Sequence, residues 1–102
     1  TMGKMTKTEK LRREAPFREL ERLEKDKNTN DASLMKLYAQ HANLAIRQND
    51  IGRALRYYET LAGYYRAYDL TSRLLHAQGM MVALEKKQKS ILRGRVKKNK
   101  EE

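Results

Sequence analysis

Between Leu34 and Tyr65 the apolar residues recur every three or four positions, and the recurrence breaks at Asn49-Asp50. Before the break the stripe is Leu34, Leu37, Tyr38, His41, Leu44, Ala45 and Gln48. After it come Ile51, Ala54, Leu55, Tyr58, Leu61, Ala62 and Tyr65. That period belongs to amphipathic helices. So short a break forces the two helices back on each other as an antiparallel hairpin. Asp50 is placed to cap the second helix. Asn30 or Asp31, closing the polar run DKNTND, is placed to cap the first.

The flanks extend the hairpin unequally. Beyond Tyr68 the positions Leu70, Leu74, Ala77, Met81, Leu84, Gln88 and Ile91 step by four and three, a heptad seam. Gly79 lies nearly opposite that seam, where a helix tolerates it at roughly 1 kcal/mol relative to alanine. Asp69 restarts the chain, so a long final helix is expected, kinked against the preceding one or continuous with it. Upstream, Thr6 and Glu9 match a capping box, but Pro16 interrupts the pattern. The apolar positions there are few (Leu11, Phe17, Leu20, Leu23), and the helix is either kinked at Pro16 or begins there; a short helix from about Pro16 is the expectation.

With one proline, five glycines and little valine or isoleucine, no strand-like alternation appears. The predicted fold is all-α: a small bundle of three to four helices, at about 16–27, 31–48, 50–67 and 69–93. Residues 1–15 are expected to be a partly disordered basic lead-in, and 94–102 a solvated basic tail.

The run from Tyr38 to Ala62 resembles one tetratricopeptide repeat. Tyr38 stands where that family opens its first helix with a large residue, Ala42 is the small residue four later, Asn49-Asp50 forms the turn, and Ala54 and Tyr58 follow its A-x-x-x-Y rhythm. Leu61 and Ala45 depart from the family's preferences, no proline closes the unit, and no second copy is evident in the sequence. The three-helix MIT domain has a similar A-x-x-Y-Y-x-x-A rhythm. Both resemblances imply a protein-binding helical scaffold.

Catalytic chemistry has no visible foothold. His41 lies on the core stripe and His76 is remote in sequence, so neither forms a metal-ligand spacing with acids or the other histidine. His41 is expected to be a packed histidine with one hydrogen-bonded nitrogen. The glycines are dispersed, the serines lack an activating neighbour, and there is no cysteine. A non-enzymatic protein with no cofactor, no metal and no catalytic residue is expected, in a reducing, intracellular setting. The longest apolar run is Met80-Met-Val-Ala-Leu84, too short to span a bilayer. The polar, lysine-rich start does not resemble a signal peptide.

Charge is the strongest functional signal. The chain carries 23 Lys and Arg against 13 Asp and Glu, a net charge of +10. Residues 28–78 are nearly balanced, so the excess sits at the ends. The segment 86–100 holds eight cations (Lys86, Lys87, Lys89, Arg93, Arg95, Lys97, Lys98, Lys100) and no acid. Such a block is either a solubilising tail or an electrostatic arm for phosphates. Arg12 and Arg13, with Lys4, Lys7 and Lys10, are positioned to join it.

The stretch RALRYYETLAGYYRAY, 53–68, holds five of the six tyrosines. At 100° per residue Tyr58 and Tyr65 fall within the apolar stripe and are expected in the core. Arg53, Tyr57, Tyr64 and Tyr68 fall together on a flank 80–120° away. Helix 31–48 has a second apolar shoulder of its own (Met35, Ala42, Ile46), and helices with two shoulders touch two neighbours. The flank is therefore expected to pack on the first or last helix; the other reading is an open base-stacking platform.

The leading expectation is a nucleic-acid-associated protein, binding RNA or DNA backbone through its basic termini, as a structural part of a nucleoprotein particle. The alternative is an adaptor or homo-oligomer that uses the hairpin and the 70–91 seam to bind a protein partner or a second copy, Gln88 setting register. Membrane-surface binding would need apolar anchors that the basic tail lacks.

Overall fold

The computed structural model describes the backbone of residues 6–101 and the side chains of residues 6–94. Its helices, in chain order, are α1 (Lys7–Lys25), α2 (Asp31–Arg47), α3 (Ile51–Ala67) and α4 (Thr71–Glu101), and no described residue lies in a strand. The protein is an all-α helical bundle. Each helix packs on its neighbour in sequence: α2 on α3, α3 on α4, and α1 more lightly on α2.

The last three helices begin at residues 31, 51 and 71, a spacing of 20. The repeated unit is one helix and its turn, a regularity hidden in the sequence because equivalent side chains differ. The turns carry the identity. Asn49 and Asp69 both adopt left-handed backbone, with φ of 61° and 55°. In both, the residue after the left-handed one donates its N–H five residues back: Asp50 to Ala45 and Leu70 to Tyr65, each at 2.8 Å. This is the Schellman closure, and Asn and Asp are the non-glycine residues best suited to its left-handed position. Asn30 and Asp50 cap as expected, their Oδ1 atoms accepting from the N–H groups of Ser33 (2.8 Å) and Arg53 (3.2 Å).

Helix α3 is central. Its Ala54 and Leu61 are wholly buried, and Ala42, Ala45 and Ala77 on the adjoining helices are equally inaccessible, so the backbones approach closely. Tyr58 and Tyr65 are buried, Tyr58 donating its hydroxyl hydrogen to Asn43 Oδ1 at 3.2 Å. The seam of α4 is directed at this core. Ala77 and Leu84 are buried and Leu70, Leu74 and Met81 pack against the cluster, whereas Gln88 and Ile91 are exposed.

Two boundaries differ from expectation. Helix α1 starts at Lys7 rather than near Pro16, so residues 7–15 are helical instead of a loose lead-in. The capping box closes in both directions: Thr6 Oγ1 accepts from Glu9 N at 3.1 Å, and Glu9 accepts from Thr6 N at 3.4 Å. Pro16 still removes a helix hydrogen bond, but tertiary contacts on either side of it hold the helix together. At the other end α4 runs on to Glu101 instead of yielding to an irregular tail after residue 93. Lys, Arg and Glu are good helix formers even where no apolar face exists.

Candidate nucleic-acid interface

The extended α4 generates the first feature of the site. With 31 residues it is about 46 Å long, against about 25 Å for the 17-residue α3. Because α4 returns antiparallel along α3, roughly its last fourteen residues pass the end where α2 turns into α3. No side chain from Glu85 to Gly94 is buried. Lys86 and Lys87 at its root, and Lys89 and Arg93 on it, are exposed and form no ion pair among the described residues. Arg95, Lys97, Lys98 and Lys100 continue the same helix; their side chains lie outside the described ones. The exposed Ile91 and Leu92 are the only large apolar residues on its described part.

The N-terminal arginines separate. Arg12 is exposed. Arg13, expected to contact phosphate, is instead half-buried and donates from Nη2 to the Gln48 carbonyl oxygen at 2.9 Å. It neutralises one of the unpaired carbonyls at the C-terminal end of α2, where a cation also opposes the helix dipole. This contact places the N-terminal half of α1, with Lys7, Lys10 and Arg12, at the end of the bundle from which α4 projects.

The tyrosine flank also divides, and α1 is the reason. Phe17, 1% exposed, inserts beside Tyr57 with ring centroids 5.9 Å apart, and Tyr57 in turn meets Tyr38 edge-on at 5.2 Å. The Arg53 guanidinium sits 4.1 Å above the Phe17 ring and donates to Glu14 Oε2 at 2.9 Å. Arg53 and Tyr57 are therefore interior parts of the α1 contact and cannot serve an open stacking platform. Tyr64 is half-buried, tilted against Tyr38 at 6.3 Å. Tyr68 alone stays open, 51% exposed, its hydroxyl donating to Asp31. A shallow groove remains beside Tyr64 and Tyr68, floored by Gly63 and Ala67.

Ionisation follows these contacts. The hydrogen bond from Arg53 holds the Glu14 carboxyl below its ordinary value of 4.5, partly offset by desolvation. Burial raises Tyr57, Tyr58 and Tyr64, while the bond to Asp31 raises Tyr68. A lowered folded-state pKa stabilises above the unfolded value and is lost as pH falls through the folded one. Acid titration below about 4.5 is thus expected to weaken the α1 contact, and Glu14→Gln should flatten that part of a stability–pH profile.

Tyr57 has a second consequence. Its hydroxyl is buried without a hydrogen-bond partner among the described residues. An orphaned buried hydroxyl costs more than it contributes, so Tyr57→Phe is expected to stabilise the fold by about 1 kcal/mol, read as a higher urea midpoint.

His41 packs edge-on against Phe17 at 6.0 Å, its Nδ1 2.7 Å from the Leu37 carbonyl oxygen. No set of three or more His, Asp or Glu among the described residues is arranged to hold a metal. No described helix is long and apolar enough to cross a membrane. No protein family, curated protein or solved structure matches the chain. The contacts of Arg13 with Gln48 and of Glu14 with Arg53 had no local signature, since they join residues 35 and 39 positions apart in the chain.

Proposed function

We propose that this chain is a non-enzymatic nucleic-acid-associated protein whose basic α4 overhang binds the phosphate backbone, with Lys7, Lys10 and Arg12 supplementing it from the same end. The carrying observation is the overhang itself: a helix past the end of the bundle, with cations exposed and unpaired among the described residues. A bare helix of this diameter fits the major groove of a B-form duplex. Lysines and arginines spread over several sides of it serve phosphate neutralisation rather than base readout. The bundle then acts as a nearly neutral body from which the arm projects, as a structural component of a nucleoprotein particle would require.

Helix energetics point the same way. Lys89 and Arg93 are like charges four apart, a spacing that destabilises a helix lacking tertiary packing. A polyanion that neutralises them stabilises the arm. Far-UV ellipticity should therefore deepen when a duplex is added.

Salt dependence of affinity is the direct test. If the arm engages about six duplex phosphates, log K against log salt has a slope near −5. Fluorescence anisotropy of a labelled duplex across a salt series measures it, and a slope near zero would sink the proposal.

The adaptor reading keeps one specific support. Ile91 and Leu92, 38% and 52% exposed, carry the apolar side of α4 past the end of α3, where a partner helix has room to lie. The remainder of the 70–91 seam faces the protein's own core as far as Leu84.

A further inference from the structure

The 20-residue spacing of helices exposes an unfinished edge. Positions 35, 42, 55 and 62 occupy equivalent places on α2 and α3, where Met35 and Leu55 pack against the core and Ala42 and Ala62 are buried. The corresponding residues of α4 are Leu75 and Val82, and they are 63% and 52% exposed. Helix α4 thus repeats the apolar positions of its predecessors but has a neighbour on one side only. Gly79 lies between them on the same outer face, with nothing within 4 Å of where a Cβ would stand.

We infer that this outer face of α4 pairs with the same face of a second copy, antiparallel, about a two-fold axis between Gln78 and Gly79. Self-complementarity selects the occupant and the direction. In this register Leu75 lies level with the partner's Val82, and Gly79 with the partner's Gln78, so the smallest side chain sits where the backbones approach most closely. Glu85 comes level with the partner's Ser72, at a helix N-terminus whose first turn contains no acid of its own. Lys89 comes level with the partner's Tyr68, within reach of the partner's Asp69 next to it in the turn before α4. A parallel pair would instead stack Lys86, Lys89 and Arg93 on their own copies. The contact is isologous and closes at two chains. It covers less than the roughly 800 Å² per partner of a standard interface, so the dimer is weak, dissociating in the micromolar range or above.

The test needs no nucleic acid and is therefore independent of the proposed function. Sedimentation equilibrium of the full chain should show a monomer–dimer equilibrium. Val82→Glu, at a position outside the core, should weaken it at least tenfold with an unchanged far-UV spectrum. The chain has no cysteine, so single cysteines report the register without background. Gly79→Cys should cross-link to itself under mild oxidation. Leu75→Cys should cross-link poorly to itself, its copies being offset by about 10 Å along the axis, but readily to Val82→Cys. A strict monomer at high concentration, a dimer indifferent to Val82→Glu, or Leu75→Cys self-linking as fast as Gly79→Cys would overturn the inference.

Discussion

Phe17→Ala is expected to cost about 4 kcal/mol of folding stability, the largest loss from any single side chain in α1. Helix α1 buries only two residues, Phe17 and Leu20, each 1% exposed. Leu20 supplies aliphatic packing alone, whereas the Phe17 ring touches several things at once. It meets His41 edge-on and lies beside Tyr57, and it supports the Arg53 guanidinium at 4.1 Å. Removing the ring leaves a cavity and deletes a cation–π contact worth about 0.5–1 kcal/mol or more. It also admits water to the Arg53–Glu14 pair, whose strength depends on partial burial. A domain of this size has a total stability of about 5–15 kcal/mol, so the variant should sit near its unfolding threshold at room temperature. Urea titration followed by ellipticity measures the loss. Phe17→Leu, which keeps most of the volume, should cost far less. A loss below about 1.5 kcal/mol for the alanine variant would mean that α1 unfolds separately from α2–α4 and adds little to the cooperative unit.

The same residues show where sequence reasoning succeeds and where it stops. The α2–α3 hairpin was legible because both helices are covered by neighbours, and two-sided burial writes itself into the apolar period. Asn30 and Asp50 were legible as caps because capping is a contact between residues three apart. The beginning of α1 was only half legible, because the Thr6–Glu9 capping box marked it while the helix was still expected to start near Pro16. Pro16 dominates the local signal, while the contacts that keep residues 7–15 helical, Arg13 on Gln48 and Glu14 on Arg53, join residues far apart in the chain. The single-helix repeat was hidden for another reason. Leu34, Ala54 and Leu74 occupy one position, and Tyr38, Tyr58 and Gln78 another, so the likeness lies in turn geometry rather than in residue identity. The tyrosine flank shows both limits together. Period placed Tyr57 and Tyr64 on one face correctly, but only the position of α1 shows that Tyr57 is enclosed and Tyr68 is open.

That division leaves the arm as the main carrier of the proposed function, and the variant that isolates it should have the larger effect on binding. Deleting residues 86–102 removes the cations but also frays the last packed turn of α4 near Leu84. A loss of binding would then have two causes. Replacing Lys86, Lys87, Lys89, Arg93, Arg95, Lys97, Lys98 and Lys100 by glutamine removes charge while keeping helix propensity almost unchanged. Leu84 and the core it joins are untouched. If the arm releases counterions from about six phosphates, the affinity ratio of parent to variant should itself depend on salt. It should shrink by about 10³ between 50 and 200 mM, because the variant lacks the steep part of the slope. Tyr68→Ala, by contrast, should leave the ratio near one at every salt concentration, since that side chain lies at the opposite end of the bundle from the arm's root. A salt-independent ratio would place the phosphate contacts elsewhere on the surface. A large loss with Tyr68→Ala would return base stacking to consideration, on the groove beside Tyr64 and Tyr68 rather than on the flank that α1 covers.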